Sequence, residues 1–169
     1  MSAIVVSAEV ERPAAEVFAY ATDPTRFSEW QRGVVRGRMD QPDPSVTPAA
    51  GTRCLTTRRI GGAARAVTSE VTHVDPPRTW GVRGINGPIR STVEVTVEPL
   101  AEARSRLTIT VDFEGHRIGR ILVPLLVDRQ ARNEMPGNLA TLKERVEARS
   151  GAITASLDSP PPPPAPGER

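Results

Sequence analysis

The chain is short of cysteine, histidine, lysine and aromatic rings, and each shortage closes off a class of function. Its 169 residues hold one cysteine, Cys54, so an internal disulfide and a cysteine-built metal site are both excluded. The two histidines are His73, beside a strand end, and His116, in the turn Glu114-Gly115-His116; no third ligand stands at useful spacing, and neither a metal nor a cofactor is expected. Cys54 has no histidine near it in sequence and reads as a small buried hydrophobe rather than a nucleophile. Aromatic residues make up 4% of the chain, so Val, Leu, Ile and Ala must fill most of the interior. Long apolar runs are missing too. The longest, ILVPLLV from Ile121 to Val127, is interrupted by a proline and falls far short of the roughly 18 residues that span a bilayer. The opening MSAIVVSAEVE has no basic stretch and no separate apolar segment, so it does not read as a signal peptide, and a cytoplasmic location is expected. Glycines at Gly115 and Gly119 lack the fingerprint and the lysine of a phosphate-binding loop.

Positive charge is plentiful but scattered. All but one of the 22 basic residues are arginine, Lys143 being the exception, and the formal net charge is only +2. The densest group, Arg53, Arg58, Arg59 and Arg65, has no acid between its members, yet it falls on both faces of an expected hairpin and has no aromatic companion. A nucleic-acid footprint would be a one-sided stripe with stacking rings, so nucleic acid is not an expected partner. Asp128 with Arg129 and Arg132, and Glu134 among its neighbouring arginines, read as a solvated helix face with surface ion pairs.

What is present has a clear order. VSAEVERPAAEVFAYATDPTRFSEWQRGV, from Val6 to Val34, is an alternating strand followed by two short helices, each begun by a proline. Pro13 suits a first helical position because its missing N–H would have no partner there. Thr22-Asp23-Pro24 supplies a cap and a second start, after which Phe27 and Trp30 stand three apart and can share a face. Val34 to Met39 is a short strand, and QPDPSVTPAAG is a turn-rich loop. Then comes a meander: strands from Thr52 to Ile60, Ala63 to about Val74, Thr79 to Ile85, Ile89 to Glu98, and a last one containing Leu107 to Glu114. Gly61-Gly62, Asp75-Pro76-Pro77 and Asn86-Gly87-Pro88 mark the turns. Val93, Val95 and Val97 alternate with Thr and Glu, as do Leu107, Ile109, Val111 and Phe113 with Thr, Asp and Glu. One dry face and one wet face is the antiparallel pattern.

A helix from about Pro124 to Glu147 can cover the dry face, with Met135, Leu139, Leu142 and Val146 spaced by four, three and four. Pro136-Gly137 predicts a kink or break within it. Beyond Ser150, GAITASLDSPPPPPAPGER keeps no periodicity and reads as a disordered, proline-rich tail. The expected organisation is one folded domain over residues 1–149 and a tail over 150–169. The fold class is α+β: a curved antiparallel sheet wrapped around a long C-terminal helix, leaving room for an internal cavity.

Four segments carry a family resemblance: EVERPAAEVFAYATDPTRFSEW near the start, HVDPPRTWGV from His73 to Val82, ITVDFEGHRIGRILVPLL from Ile109 to Leu126, and NEMPGNLATLKERVE from Asn133 to Glu147. On these the chain resembles the START-like (SRPBCC) superfamily, in particular the polyketide cyclase/dehydrase-like proteins that share the helix-grip fold of the birch-pollen allergen. The resemblance implies that fold over nearly all of residues 3–149. It implies no catalytic residue, because the shared positions are structural and members include ligand carriers as well as aromatase/cyclases.

Candidate cavity-lining residues are therefore Trp30, Arg58, Arg83, Val95, Ile109, Val111, Phe113, Met135 and Leu139. Arg58 and Arg83 each lie on a strand where one register would turn the side chain inward. Outward is the commoner place for an arginine. An inward guanidinium needs a partner, and a ligand with a carbonyl or acidic group would provide one. Gly81, Gly84 and Gly87 either leave space for a ligand or simply allow strand curvature. The leading expectation is binding or carriage of a small hydrophobic molecule. An unbroken aliphatic wall would favour it. The alternative is a polyketide cyclase/dehydrase-like enzyme, favoured by inward arginines with a carboxylate or hydroxyl in reach. A third reading is a filled interior and a role in protein contacts.

Overall fold

The computed structural model describes residues 3–43, 45–60, 62–86, 89–115 and 122–157. Among them, seven strands form one antiparallel sheet in the order β1-β7-β6-β5-β4-β3-β2. Strand β1 (Ile4–Val10) leads into α1 (Ala14–Thr22), a 3₁₀ turn (Pro24–Arg26) and α2 (Phe27–Trp30). The meander follows as β2 (Val34–Asp40), β3 (Arg53–Ile60), β4 (Ala63–Asp75), β5 (Thr79–Gly84), β6 (Ile89–Ala101) and β7 (Arg104–Gly115), and α3 (Leu122–Leu157) closes the described chain. This is the helix-grip fold, and every strand expected from the alternation is present. The first strand returns to pair with the last, Ile4 opposite Val111 and Val10 opposite Ser105.

The register sorts the side chains as the alternation requires. Val82, Val95, Val97, Leu107, Ile109 and Val111 are buried on one face. The other face carries a Ser7–Thr108 hydrogen bond and Arg106 between Glu9 and Glu98. The short helices seal one end of the dry face. Asp23 caps the 3₁₀ turn, its carboxylate accepting from the Thr25 N–H at 2.9 Å. Helix α2, which follows it, presents Phe27 and Trp30, whose rings meet edge to face at 5.9 Å, and Phe27 also meets Trp80 at 6.3 Å. Gly37 is needed at this contact, because a Cβ there would strike the Pro24 carbonyl oxygen.

Of the kink or break expected in helix α3 at its proline, the break is absent. The helix runs without interruption through Pro136. Losing one helical hydrogen bond costs about 3 kcal/mol. Burial of Leu139, Leu142 and Val146, each worth roughly 1.5–3 kcal/mol, outweighs that loss. Pro136 and Gly137 are both exposed, so this part of the helix is open to water. The helix then continues past Ser150 to Leu157. Its position is held by polar contacts to the first strand and the turn after it. The Glu147 carboxylate accepts from the Glu11 N–H at 2.9 Å, Lys143 donates to the Glu9 carbonyl at 2.8 Å, and Arg12 donates to the Glu147 carbonyl. Gly87, His116 and the proline run from Pro160 to Pro164 lie outside the described residues.

Candidate functional site

Strand β3 brings polar chemistry to the otherwise aliphatic face. Cys54, Thr56 and Arg58 follow each other at two-residue spacing, so they share one side of the strand. Cys54 and Thr56 are buried there, at 3% and 8% exposure. Arg58 is thereby turned inward, against the commoner expectation for an arginine. Its Nη2 donates to the Gln31 side-chain oxygen at 2.8 Å, immediately after α2. Burial lowers the Arg58 pKa, while the Cys54 thiol, once ionised, and the Glu134 carboxylate act in the opposite direction. Among the described residues no carboxylate comes within ion-pair distance of Arg58. The Cys54 thiol is pushed up to about 11 by burial, partly offset by the nearby arginine, so it stays protonated at neutral pH.

Two further features adjoin this strand. Trp30 is 6% exposed, and its indole N–H is buried without a hydrogen-bond partner among the described residues. Glu134, on α3, accepts a hydrogen bond from Gln130 at 3.0 Å. Asn138, one turn further along, accepts from the Arg32 N–H at 2.9 Å and ties α3 to the segment that carries Gln31.

Of the residues expected to line a cavity, Trp30, Val95, Ile109, Val111 and Leu139 belong to one buried cluster, with Phe113 and Met135 packed against it. Arg83 does not join them. It is exposed on the outer face of β5, with Glu70 opposite it on β4, because its neighbours Val82 and Gly84 take the inward positions. Gly81 is explained without a ligand: the His73 ring and the Thr72 hydroxyl lie where its Cβ would be. His73 hydrogen-bonds Glu94 at 2.8 Å across that glycine. The sequence reading missed Gln31, whose role follows from where α2 ends. It also placed Glu134 only on a solvated helix face. Neither has a sequence signal beyond its polarity.

A separate open cleft of about 470 Å³ lies elsewhere, between α1 (Ala15, Phe18, Ala19, Thr22), the β2–β3 loop and Pro76-Pro77. None of the expected lining residues borders it.

The sequence model for "Polyketide cyclase / dehydrase and lipid transport" matches residues 1–147. The chain belongs to that family. Among solved structures, members of the START-like superfamily share its fold. The Zhui aromatase/cyclase from Streptomyces sp. R1128 superposes with a TM-score of 0.73 at 16% identity, covering 90% of this chain and 97% of the other. TTHA0849 from Thermus thermophilus gives 0.69 at 19% identity, covering 88% and 99%. The di-domain ARO/CYC BexL of the BE-7585A biosynthetic pathway gives 0.67 at 18% identity over 87% of this chain. The chain spans about half of that protein, 47% of its length. No curated protein matches the chain in sequence. Among the described residues no helix is long and apolar enough to cross a membrane.

Proposed function

We propose that this family member is an enzyme of the cyclase/dehydrase type. Its substrate would be a small, largely apolar molecule bearing carbonyl groups, held between the inner face of the sheet and α3. The observation that carries this reading is Arg58: a guanidinium turned towards the core, held by a neutral amide and with no carboxylate paired to it among the described residues. A positive charge in that position is suited to an oxygen on which negative charge develops, as a carbonyl becomes an enolate or alkoxide. The unpartnered Trp30 N–H supports an oxygen-bearing ligand as well. The aliphatic residues of β6 and β7 would hold a flexible chain in one arrangement, supplying orientation rather than chemistry. Cys54 would remain a thiol and take no proton.

The second reading, a carrier of an apolar molecule, draws on the rest of the inner face, which from Val95 to Val111 is aliphatic. One experiment separates the two. A reconstituted minimal polyketide synthase is run with and without the protein, and the products are separated by liquid chromatography and mass spectrometry. The enzyme reading expects a new cyclised or dehydrated product, reduced on the order of 10²-fold by Arg58→Gln. An unchanged product profile, with a polyketide bound stoichiometrically, would instead make the protein a carrier.

A further inference from the structure

Arg58 does not stand alone on the inner face. The β3–β4 register sets it directly opposite Arg65, and residues directly opposite share a face with Cβ atoms about 4.5–5.5 Å apart. Val34 of β2 completes the row on the other side. Like charges in this relation repel and oppose folding. Several other strand arginines have acids set against them: Arg106 bonds Glu9 and Glu98, Arg38 bonds Asp40, and Arg53 and Arg83 both have Glu70 across from them. Among the described residues the inner row, Val34, Arg58 and Arg65, has no such acid. The Arg65 side chain makes no hydrogen bond or ion pair among the described residues, and the Arg58 side chain is held only by that of the neutral Gln31. Glu134, whose charge acts on Arg58, forms no ion pair with it and is engaged with Gln130.

We propose that Arg58 and Arg65 together form a seat for an oxyanion, a carboxylate or phosphate, carried by the molecule that occupies the inner face. This rests on the reading that a small molecule binds there, and adds that the molecule is acidic. Two guanidinium forks suit the paired oxygens of such a group and bind it more tightly than a neutral acceptor. Arg58 has five N–H donors and gives one to Gln31, so it can serve both an interior carbonyl and a shared oxyanion. Depth sets the orientation. Arg65 is exposed near the hairpin tip and Arg58 lies further in. The charged end therefore sits at the rim, where water still reaches it, and the apolar body points inward.

The test uses three probes of one shape: 2-naphthoate, 2-naphthyl phosphate and the neutral 2-acetylnaphthalene, titrated calorimetrically into the full chain. At least one anion should bind about tenfold more tightly than the neutral probe. A preference for the carboxylate makes the group an acid of the ligand itself, whereas a preference for the phosphate makes it a phosphate-bearing arm. Arg65→Gln should abolish the anion preference, while Arg59→Gln, the same charge change on the outward face, should retain it. Probe-free Arg65→Gln should also melt no lower than the parent chain, because it relieves repulsion. Equal binding of all three probes, or an anion preference that survives in Arg65→Gln, would overturn the oxyanion seat and leave the pocket reading intact. Binding of none would overturn both.

Discussion

Single side chains set the response of this protein to pH. The Cys54 thiol is raised to about 11 by burial, with Arg58 acting against the shift. The Tyr20 hydroxyl is raised to about 12, first by burial and then by its 2.8 Å hydrogen bond to Glu29. Both groups hold their protons more tightly folded than unfolded. Their contributions are thus complete below the ordinary pKa values and are lost as pH rises from about 9 towards 12. Equilibrium urea unfolding should show stability falling over that window, and less steeply in a Cys54→Ala, Tyr20→Phe double variant. An identical slope in the variant would mean that other groups govern the alkaline limb. The same burial predicts that iodoacetamide leaves Cys54 unmodified at pH 8 until denaturant is added; rapid labelling of the folded protein would contradict the buried placement.

The elements are held by contacts that small substitutions can probe in opposite directions. Gly37→Ala places a methyl group against the Pro24 carbonyl, where the 3₁₀ turn presses on β2, and should cost about 1–3 kcal/mol. Gly137 has open space at its Cβ position and lies inside α3, so Gly137→Ala should stabilise by about 0.5–1 kcal/mol. Leu142, fully buried on the same helix, should lose about 2–5 kcal/mol on truncation to alanine. Thermal melts of the three variants check these signs, and a destabilised Gly137→Ala would mean that α3 is not an ordinary helix after Pro136. The elements were also what could be read before folding. Strand alternation and the four-three-four spacing of α3 were local patterns, and both appear where expected. At Pro136 the break did not occur: the local rule weighs a lost hydrogen bond and sees nothing of the three buried side chains that follow it.

For the whole molecule, the sheet order predicts a gradient of protection. Strands β6 and β7 are paired on both sides and carry Val97 and Leu107 at 2% exposure or less, whereas β2 is an edge. Native-state hydrogen exchange should be slowest in β6 and β7 and fastest in β2. Uniform exchange across the sheet would contradict a core centred on those strands. Alternation and spacing are properties of neighbouring residues, so the identity and order of the elements, the dry face of β6 and β7, and the membership of the fold were all legible in the amino-acid order. The directions of Arg58 and Arg83 were not. Both sit on strands of mixed polarity, where the pattern is ambiguous and a shift of one residue exchanges the faces. Strand pairing settled them: β2 and β4 turned Arg58 towards Gln31 and set Arg65 beside it, and β4 and β6 sent Arg83 to the surface. The candidate site exists only in that register, since its charges come from strands and helices that meet only when the sheet has formed.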